Sequence, residues 1–96
     1  MKTYILKKSN RKGKRFEIDM IDHSHHFGSA SGKTFIDGRT EKEKQAWLAR
    51  HQNNKGWDNK HSGIFHSRYL LWHKPTLKEA IKQYEKKHNV KIKIEI

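Results

Sequence analysis

The stretch Ser67–Leu77 carries the densest run of apolar side chains in an otherwise very polar chain, and it constrains the fold most. Its four consecutive residues Tyr69–Trp72 are too bulky to remain in water together, so they are predicted to anchor the core. Pro75, the only proline, disfavours helical geometry at the residue before it and predicts the end of one helix. Thr76 then caps the next helix, with Glu79 completing a capping box.

The size and composition of the chain predict one small folded domain spanning residues 1–96. Hydrophobic residues make up 32% of the chain and charged residues 33%, so the core is expected to be limited. Three Trp, three Tyr and four Phe nevertheless favour a packed fold over disorder. No internal repeat or linker interrupts the sequence.

Basic residues far outnumber acidic ones, with 22 Lys and Arg against 10 Asp and Glu and a formal charge of +12. A compact body with this charge attracts polyanions, so the expected partner is nucleic acid, an acidic protein surface or anionic lipid. Cysteine is absent, which excludes disulfides and thiolate metal sites and gives secretion no support. No apolar run approaches the ~18–20 residues that span a bilayer, and charges directly follow the first six residues, so neither a membrane segment nor a signal peptide is expected.

Three segments of the first forty residues predict strands. The first is Lys2–Lys8, which is followed by a turn rich in Ser, Asn and Gly. Apolar Phe16, Ile18 and Met20 then alternate with acidic residues, a pattern typical of a half-buried strand that pairs with the first in a hairpin. A third strand is predicted at 33–37.

Three helices and a final strand are predicted in the rest of the chain. The first helix runs from Thr40, which forms a capping box with Glu43, to about 51. The second runs from 62 or 63 to about 72, and the third from Thr76 to about 88. Alternation over 90–96 predicts the last strand. The fold class is therefore α+β in the order βββαααβ, with an antiparallel sheet of the hairpin and the last strand packed on helices. Charge further places Lys91 and Lys93 beside Glu17 and Asp19 on the outer sheet face.

Two concentrations of positive charge are candidate binding sites for nucleic acid or another anion. The hairpin tip carries Lys7, Lys8, Arg11, Lys12, Lys14 and Arg15, and one face of the last helix carries Lys78, Lys82 and Lys86. Each set is either a solvated surface that keeps the protein soluble or a face that touches phosphates or an acidic partner. Both interpretations stay open at this stage.

Histidines cluster at His23–His26, and a Gly/Ser-rich run follows at 27–32. Histidine is a common metal ligand, and glycine-rich loops can bind phosphate. His23, His25 and His26 lack the spacing of a known zinc motif, and the run lacks the Lys-Ser/Thr pair of a P-loop. We expect a flexible loop here, with no bound metal and no cofactor.

Two tryptophans invite different interpretations. Trp47 shares a narrow stripe with Leu48 and His51 on the first predicted helix and is expected in the core. Trp57 lies in a polar loop, where it either folds back over the core or contacts a partner by stacking on a base or inserting between subunits.

A resemblance covers roughly residues 27–84 and rests on Arg50-His51, Trp57, Ser67-Arg68-Tyr69-Leu70-Leu71-Trp72 and Lys74-Pro75-Thr76-Leu77. This pattern resembles a family of small, basic, uncharacterised proteins from large double-stranded DNA viruses and phages. The resemblance includes no catalytic motif and implies a viral origin, with the virion or the host cytoplasm as the place of action.

These observations lead to three hypotheses for function. The first is a non-catalytic virion component, such as a minor capsid or cement-like protein within a larger assembly, whose charge meets acidic capsid surface or genome. The second is a free, sequence-tolerant nucleic-acid-binding or host-modulating factor. The third is a small metal-dependent nuclease built from Asp22, His23, His25 and His26, which the sequence supports least because two-metal spacing is missing.

Overall fold

The structure, a computed structural model, describes all 96 residues and contains four strands and three α-helices. The elements are β1 (Lys2–Lys8), β2 (Lys14–Asp19), β3 (Ser24–Ser29), a short 3-10 turn (Phe35–Asp37), α1 (Glu41–His51), α2 (Gly63–Leu70), α3 (Leu77–His88) and β4 (Val90–Glu95). The predicted α+β class and the order βββαααβ are confirmed. None of the helices has both the length and the apolar character needed to cross a bilayer.

The four strands form one mixed sheet in the order β3-β2-β1-β4. The three N-terminal strands are antiparallel, and β4 joins the free side of β1 in parallel, with Tyr4 opposite Ile92. The last strand therefore pairs with the N-terminal hairpin, as predicted, but it runs parallel to β1 and not antiparallel. Alternation predicts a strand without fixing its direction relative to its neighbour. Alternation directs Leu6, Ile18 and Phe27 to the inner face, where they are buried under the helices.

The predicted pairing of charges on the outer face is wrong. Lys91 and Lys93 do lie on the face opposite the core, but β1 separates their strand from Glu17 and Asp19. Lys93 instead lies 3.4 Å from Glu95 on its own strand. The prediction failed because period-two alternation assigns a residue to a face without identifying the neighbouring strand.

The third strand lies at 24–29 rather than at 33–37. Phe27 provides its one large apolar side chain, which pairs across the sheet with Phe16 and is 1% exposed. Gly28, with φ +78°, follows it at a point where a Cβ atom would lie 2.8 Å from the Leu71 side chain. The segment predicted as a flexible loop is thus a sheet edge packed against the core.

Local hydrogen bonds explain why the segment 33–37 does not form a strand. The Asp37 carboxylate accepts hydrogen bonds from both the backbone N–H and the hydroxyl of Thr34, each at 2.9 Å. These bonds close the chain into the 3-10 turn, which Gly38 ends in the left-handed region at φ +98°. Phe35 and Ile36 still pack against the core from this turn.

Capping explains where α1 and α3 begin. Thr40 and Glu43 form the complete capping box predicted for α1. At α3 the Thr76 hydroxyl accepts from the Glu79 N–H and donates to its carboxylate, but the Thr76 backbone N–H is not bound, so the predicted box is half formed. Asn89 ends α3 in the left-handed conformation, as its position predicts.

The run 69–72 lies at the centre of the core, as expected. α2 ends at Leu70, earlier than predicted, so Leu71 and Trp72 enter the core from the turn that precedes Pro75. Trp72 stacks on Trp47, with ring centroids 5.1 Å apart and planes 12° apart. Trp47 is therefore a core residue, and it attaches α1 to the rest of the molecule.

We expect Trp72→Ala to cost about 3–5 kcal/mol of unfolding free energy, because it empties the site against which Trp47 packs. Denaturant unfolding followed by circular dichroism measures the change. Trp57→Ala, which removes a half-buried indole, is the matched control and should cost clearly less. A Trp72→Ala protein that melts within a few degrees of wild type would contradict the central place of this ring.

The turn between β2 and β3 holds Ile21 at φ +80°, a region that β-branched residues rarely adopt. The Asp22 N–H donates to the Met20 carbonyl at 3.0 Å, and the Asp19 carboxylate accepts from the Ile21 N–H at 3.0 Å. The Ile21 side chain is 68% exposed, so little burial offsets the strain.

We therefore expect Ile21→Gly to be more stable than Ile21→Ala by roughly 1 kcal/mol, since only glycine relieves a positive φ. Both variants remove the exposed aliphatic chain beyond Cβ, so they differ only in the Cβ methyl, which favours a negative φ. Equal midpoints for the two variants in urea unfolding would show that this turn is not strained.

Candidate anion-binding end of the molecule

The tip of the β1–β2 hairpin is a defined loop with its basic side chains in solvent. Its backbone is closed by hydrogen bonds from Ser9 N–H to the Arg15 carbonyl and from Lys14 N–H to the Arg11 carbonyl, both at 3.1 Å. Gly13 supplies the left-handed residue that the turn requires, at φ +82°. The exposed cations here are Lys8, Arg11, Lys12 and Lys14.

Two other residues of the predicted tip, Arg15 and Lys7, are only partly exposed to solvent. Arg15 donates from both terminal nitrogens to the carboxylate of Asp37, at 2.5 and 2.8 Å, and only 24% of its side chain is exposed. These hydrogen bonds lower the pKa of Asp37 to about 2. Lys7 is half-buried on the outer sheet face, opposite Glu17 on one side and Glu95 on the other. The positive charges of Arg15 and Lys7 are thus partly compensated within the protein.

The basic face of α3 begins beside the hairpin tip. Lys78, Lys82 and Lys86 are exposed, as predicted, while Ala80, Ile81 and Tyr84 are buried on the opposite face. Leu77, the first residue of α3, lines the same groove as Lys8 and Lys14. We call the set Lys8, Arg11, Lys12, Lys14 and Lys78 the basic end.

The other two lysines of the helix face lead away from the basic end. A rise of about 1.5 Å per residue places Lys86 roughly 12 Å along the axis from Lys78. The ion pairs of the molecule involve other cations, namely Arg15, Arg39, Lys44, Arg68 and Lys93. None of the cations of the basic end is in an ion pair, and no acidic residue lies between Lys7 and Arg15 in the sequence.

The structure divides the predicted histidine cluster. His26 lies on the outer sheet face, where Ser9 Oγ is 2.7 Å from its Nδ1 and Glu17 is 3.8 Å from its Nε2. His23 and His25 instead meet His61 and His66, with neighbouring ring centroids 4.5–6.3 Å apart. Sequence reasoning missed His61 and His66 because they lie more than thirty residues further along the chain.

The regrouped histidines do not have the geometry of a metal centre. No set of three or more His, Asp or Glu side chains is arranged to hold a metal ion. The nuclease hypothesis required Asp22, His23, His25 and His26 together, and the sheet places His26 on the other face. The absence of bound zinc in the native protein stays a prediction, to be checked by elemental analysis.

His66 is the most deeply buried member of the group, at 0% exposure. Its Nε2 lies 2.7 Å from the carbonyl oxygen of Lys60, which only accepts, so Nε2 carries the proton. Nδ1 then accepts from the Tyr84 hydroxyl at 3.2 Å. Burial lowers the pKa of His66 from 6.5 to about 4, so the neutral ring is the stable form in the core.

Trp57 folds back over the core, one of the two interpretations that the sequence left open. The Arg68 guanidinium lies 4.3 Å from its ring centroid and donates to the Trp57 carbonyl at 3.1 Å. The indole borders a groove of about 500 Å³ along α1 that also contains Leu48 and His73. No residue of the basic end lines this groove, so the structure separates Trp57 from the predicted cationic site.

Residues 4–51 match a protein family described as a family of unknown function, DUF5754. The match covers 48 of the 96 residues. The chain belongs to this family. No curated protein and no solved structure matches it. The DUF5754 region extends from β1 to the end of α1, so it includes the hairpin tip but not α3.

We expect the protein to lose stability as the pH falls from about 6.5 to 4. The unfolded chain protonates His66 near its ordinary pKa of 6.5, whereas the folded protein resists protonation until about 4. His66 thus contributes stability that is complete above pH 6.5 and is lost on acidification, on the order of 3 kcal/mol. Burial lowers the pKa values of His25, His51, His73 and His88 in the same direction.

Urea unfolding at a series of pH values measures this dependence. His66→Gln keeps a donor and an acceptor but does not titrate, so its stability should fall less steeply with acid than that of the wild type. His61→Gln, which replaces an exposed ring, is the matched control and should keep most of the wild-type slope. Equal slopes for His66→Gln and the wild type would show that His66 does not set the acid sensitivity.

Proposed function

We propose that the protein is a non-catalytic docking protein that binds a polyanionic partner through its basic end. The observation that carries the proposal is the gathering of Lys8, Arg11, Lys12 and Lys14 on one closed hairpin tip. Leu77 of α3 lines a groove with Lys8 and Lys14, and the exposed Lys78 follows it in the chain. A formal charge of +12 on a chain of 96 residues draws anions from a distance, and the unpaired cations decide where they dock.

The ordered backbone of the tip favours binding, in addition to the positive charge of the tip. Hydrogen bonds from Ser9 and Lys14 hold the loop backbone, so little backbone entropy is lost when its side chains meet a partner. α3 begins at the same end, and the partial positive charge of a helix N-terminus adds to the local field. Lysine and arginine on a turn contact phosphates or carboxylates without reading base edges, so binding is expected to tolerate changes of nucleic-acid sequence.

As the setting we propose the virion, with acidic capsid surface or genome as the partner. This part of the proposal rests on the resemblance of the Ser67–Leu77 stretch and its flanking residues to small proteins of large DNA viruses and phages. Mass spectrometry of purified particles tests it. A structural component should be present at a fixed ratio to the major capsid protein, whereas a free factor should be absent or present in trace.

A charge-matched comparison tests the basic end itself. We expect replacement of Arg11, Lys12 and Lys14 by alanine to weaken binding to both poly-glutamate and a mixed-sequence DNA duplex. On duplex DNA the log–log salt slope should also fall, by ~0.9 for each phosphate that the variant no longer neutralises. Arg15 is left in place because it holds Asp37.

The control replaces Lys42, Lys55 and Lys60 by alanine. These lysines are also exposed and unpaired, and their replacement removes the same number of charges. Binding that fell equally in the two triple variants would show that net charge alone acts and would overturn the assignment to the basic end. No binding of either polyanion at low salt would overturn the proposed function.

A further inference from the structure

We propose that a groove at the basic end receives an apolar side chain of an acidic polypeptide, which makes the partner a protein segment. The inference rests on the proposed function and specifies its partner. The groove has a volume of about 490 Å³ and opens between the hairpin tip, the start of α3 and the end of β4. Its lining residues are Lys8, Ser9, Lys14, Arg15, Phe16, Ala30, Leu77 and Ile96.

The interior of the groove is aliphatic because the apolar side of β4 continues beyond the cover of the helices. Val90 and Ile92 are each 6% exposed, whereas Ile94 and Ile96, on the same side of the strand, are 51% and 55% exposed. Leu77 is half-buried and faces the groove from the first turn of α3. Apolar area in this position stays in water and is available to a partner's apolar side chain.

The charges around the groove are arranged to select an acidic segment. Lys8 and Lys14 line it and are exposed, and neither is paired with a carboxylate of this chain. Arg15 also lines it, but the Arg15 charge is engaged by Asp37. An apolar side chain in the groove would therefore be flanked by free lysines that meet carboxylates on either side of it.

A nucleic acid matches this combination less well. Phosphates satisfy the lysines equally, but nucleic acid carries no aliphatic side chain to fill the groove. Single-stranded bases stack on exposed aromatic faces, and the one aromatic residue of the groove, Phe16, is only 6% exposed. An acidic polypeptide supplies both the carboxylates and the aliphatic group, so it fits the charge and the apolar lining together.

Two peptides and one nucleic acid test the inference by fluorescence anisotropy. The peptides are Glu-Asp-Glu-Leu-Glu-Asp-Glu and the same sequence with Ser in place of Leu, and the nucleic acid is a mixed-sequence DNA duplex. We expect wild type to bind the leucine peptide about tenfold tighter than the serine peptide, because the two differ only in the group that enters the groove.

Two variants locate the effect. Ile96→Ser should bring the leucine-to-serine ratio close to one while leaving the affinity for the serine peptide unchanged. Ile21→Ser, which removes a comparably exposed isoleucine outside the groove, should leave the ratio at the wild-type value. A third variant, Ala30→Glu, places a carboxylate in the groove and should weaken both peptides.

The remaining outcomes separate the inference from the proposed function. Equal affinity of wild type for the two peptides, or binding of the duplex alone, would overturn the groove inference while the docking function stands. Failure of all three probes at low salt would overturn both. A dimer of the wild type that Ile96→Ser converts to monomer, measured by light scattering, would show that a second copy occupies the groove and would overturn the inference.

Discussion

The packing of the run 69–72 against the inner face of the sheet is the interaction on which the rest of the structure depends. The chain is only 32% hydrophobic, so it must collect its large side chains in one place to be stable. Leu70 and Leu71 are 0% and 1% exposed and share the core with Leu6 and Ile18 from the two strands of the hairpin. The turn before Pro75 also brings in Trp72, which holds α1 through its stack on Trp47.

Buried polar groups are costly in a core this small, and the structure satisfies some of them while the Nε2 atoms of His25 and His88 have no hydrogen-bond partner. His66 forms hydrogen bonds through both ring nitrogens, one with a backbone carbonyl and one with Tyr84. The desolvation cost of burying the imidazole is thereby offset, and the bond to Tyr84 also links α2 to α3. A side chain also occupies a backbone donor at the exposed edge of β4. Glu85 of α3 accepts from the Ile92 N–H at 2.8 Å, which occupies a donor that would otherwise be open to another chain.

The distribution of charge follows from the same architecture. Some cations on the body of the molecule are paired with acids, as in Arg39 with Glu43 at 2.8 Å and Arg68 with Asp58 at 2.9 Å. The hairpin tip carries no acidic residue between Lys7 and Arg15. The same end exposes the apolar side of β4. Positive charge and aliphatic surface therefore coincide at this end of the molecule, and the proposed docking site rests on that coincidence.

The sequence by itself determined the features that depend on neighbours along the chain. The starts of α1 and α3 follow from Thr40 and Thr76, the exit of α3 from Asn89, and the inward-facing residues of β2 and β4 from simple alternation. Each of these rests on contacts over a few residues, which a sequence displays directly. The exposed cations of the tip and of α3 were predictable for the same reason, since period and turn chemistry place them in solvent.

Only the tertiary structure decided the features that join distant residues. The third strand forms at 24–29 rather than at 33–37 because Phe27 pairs with Phe16 across the sheet and Gly28 allows close approach to Leu71. The pairing of Arg15 with Asp37 spans 22 positions, and His23 meets His61 across a longer separation. The groove is lined by residues from the β1–β2 hairpin, the start of α3 and the end of β4. Strand order and contacts between residues this far apart in sequence depend on how all the elements pack together. No local sequence pattern specifies that packing.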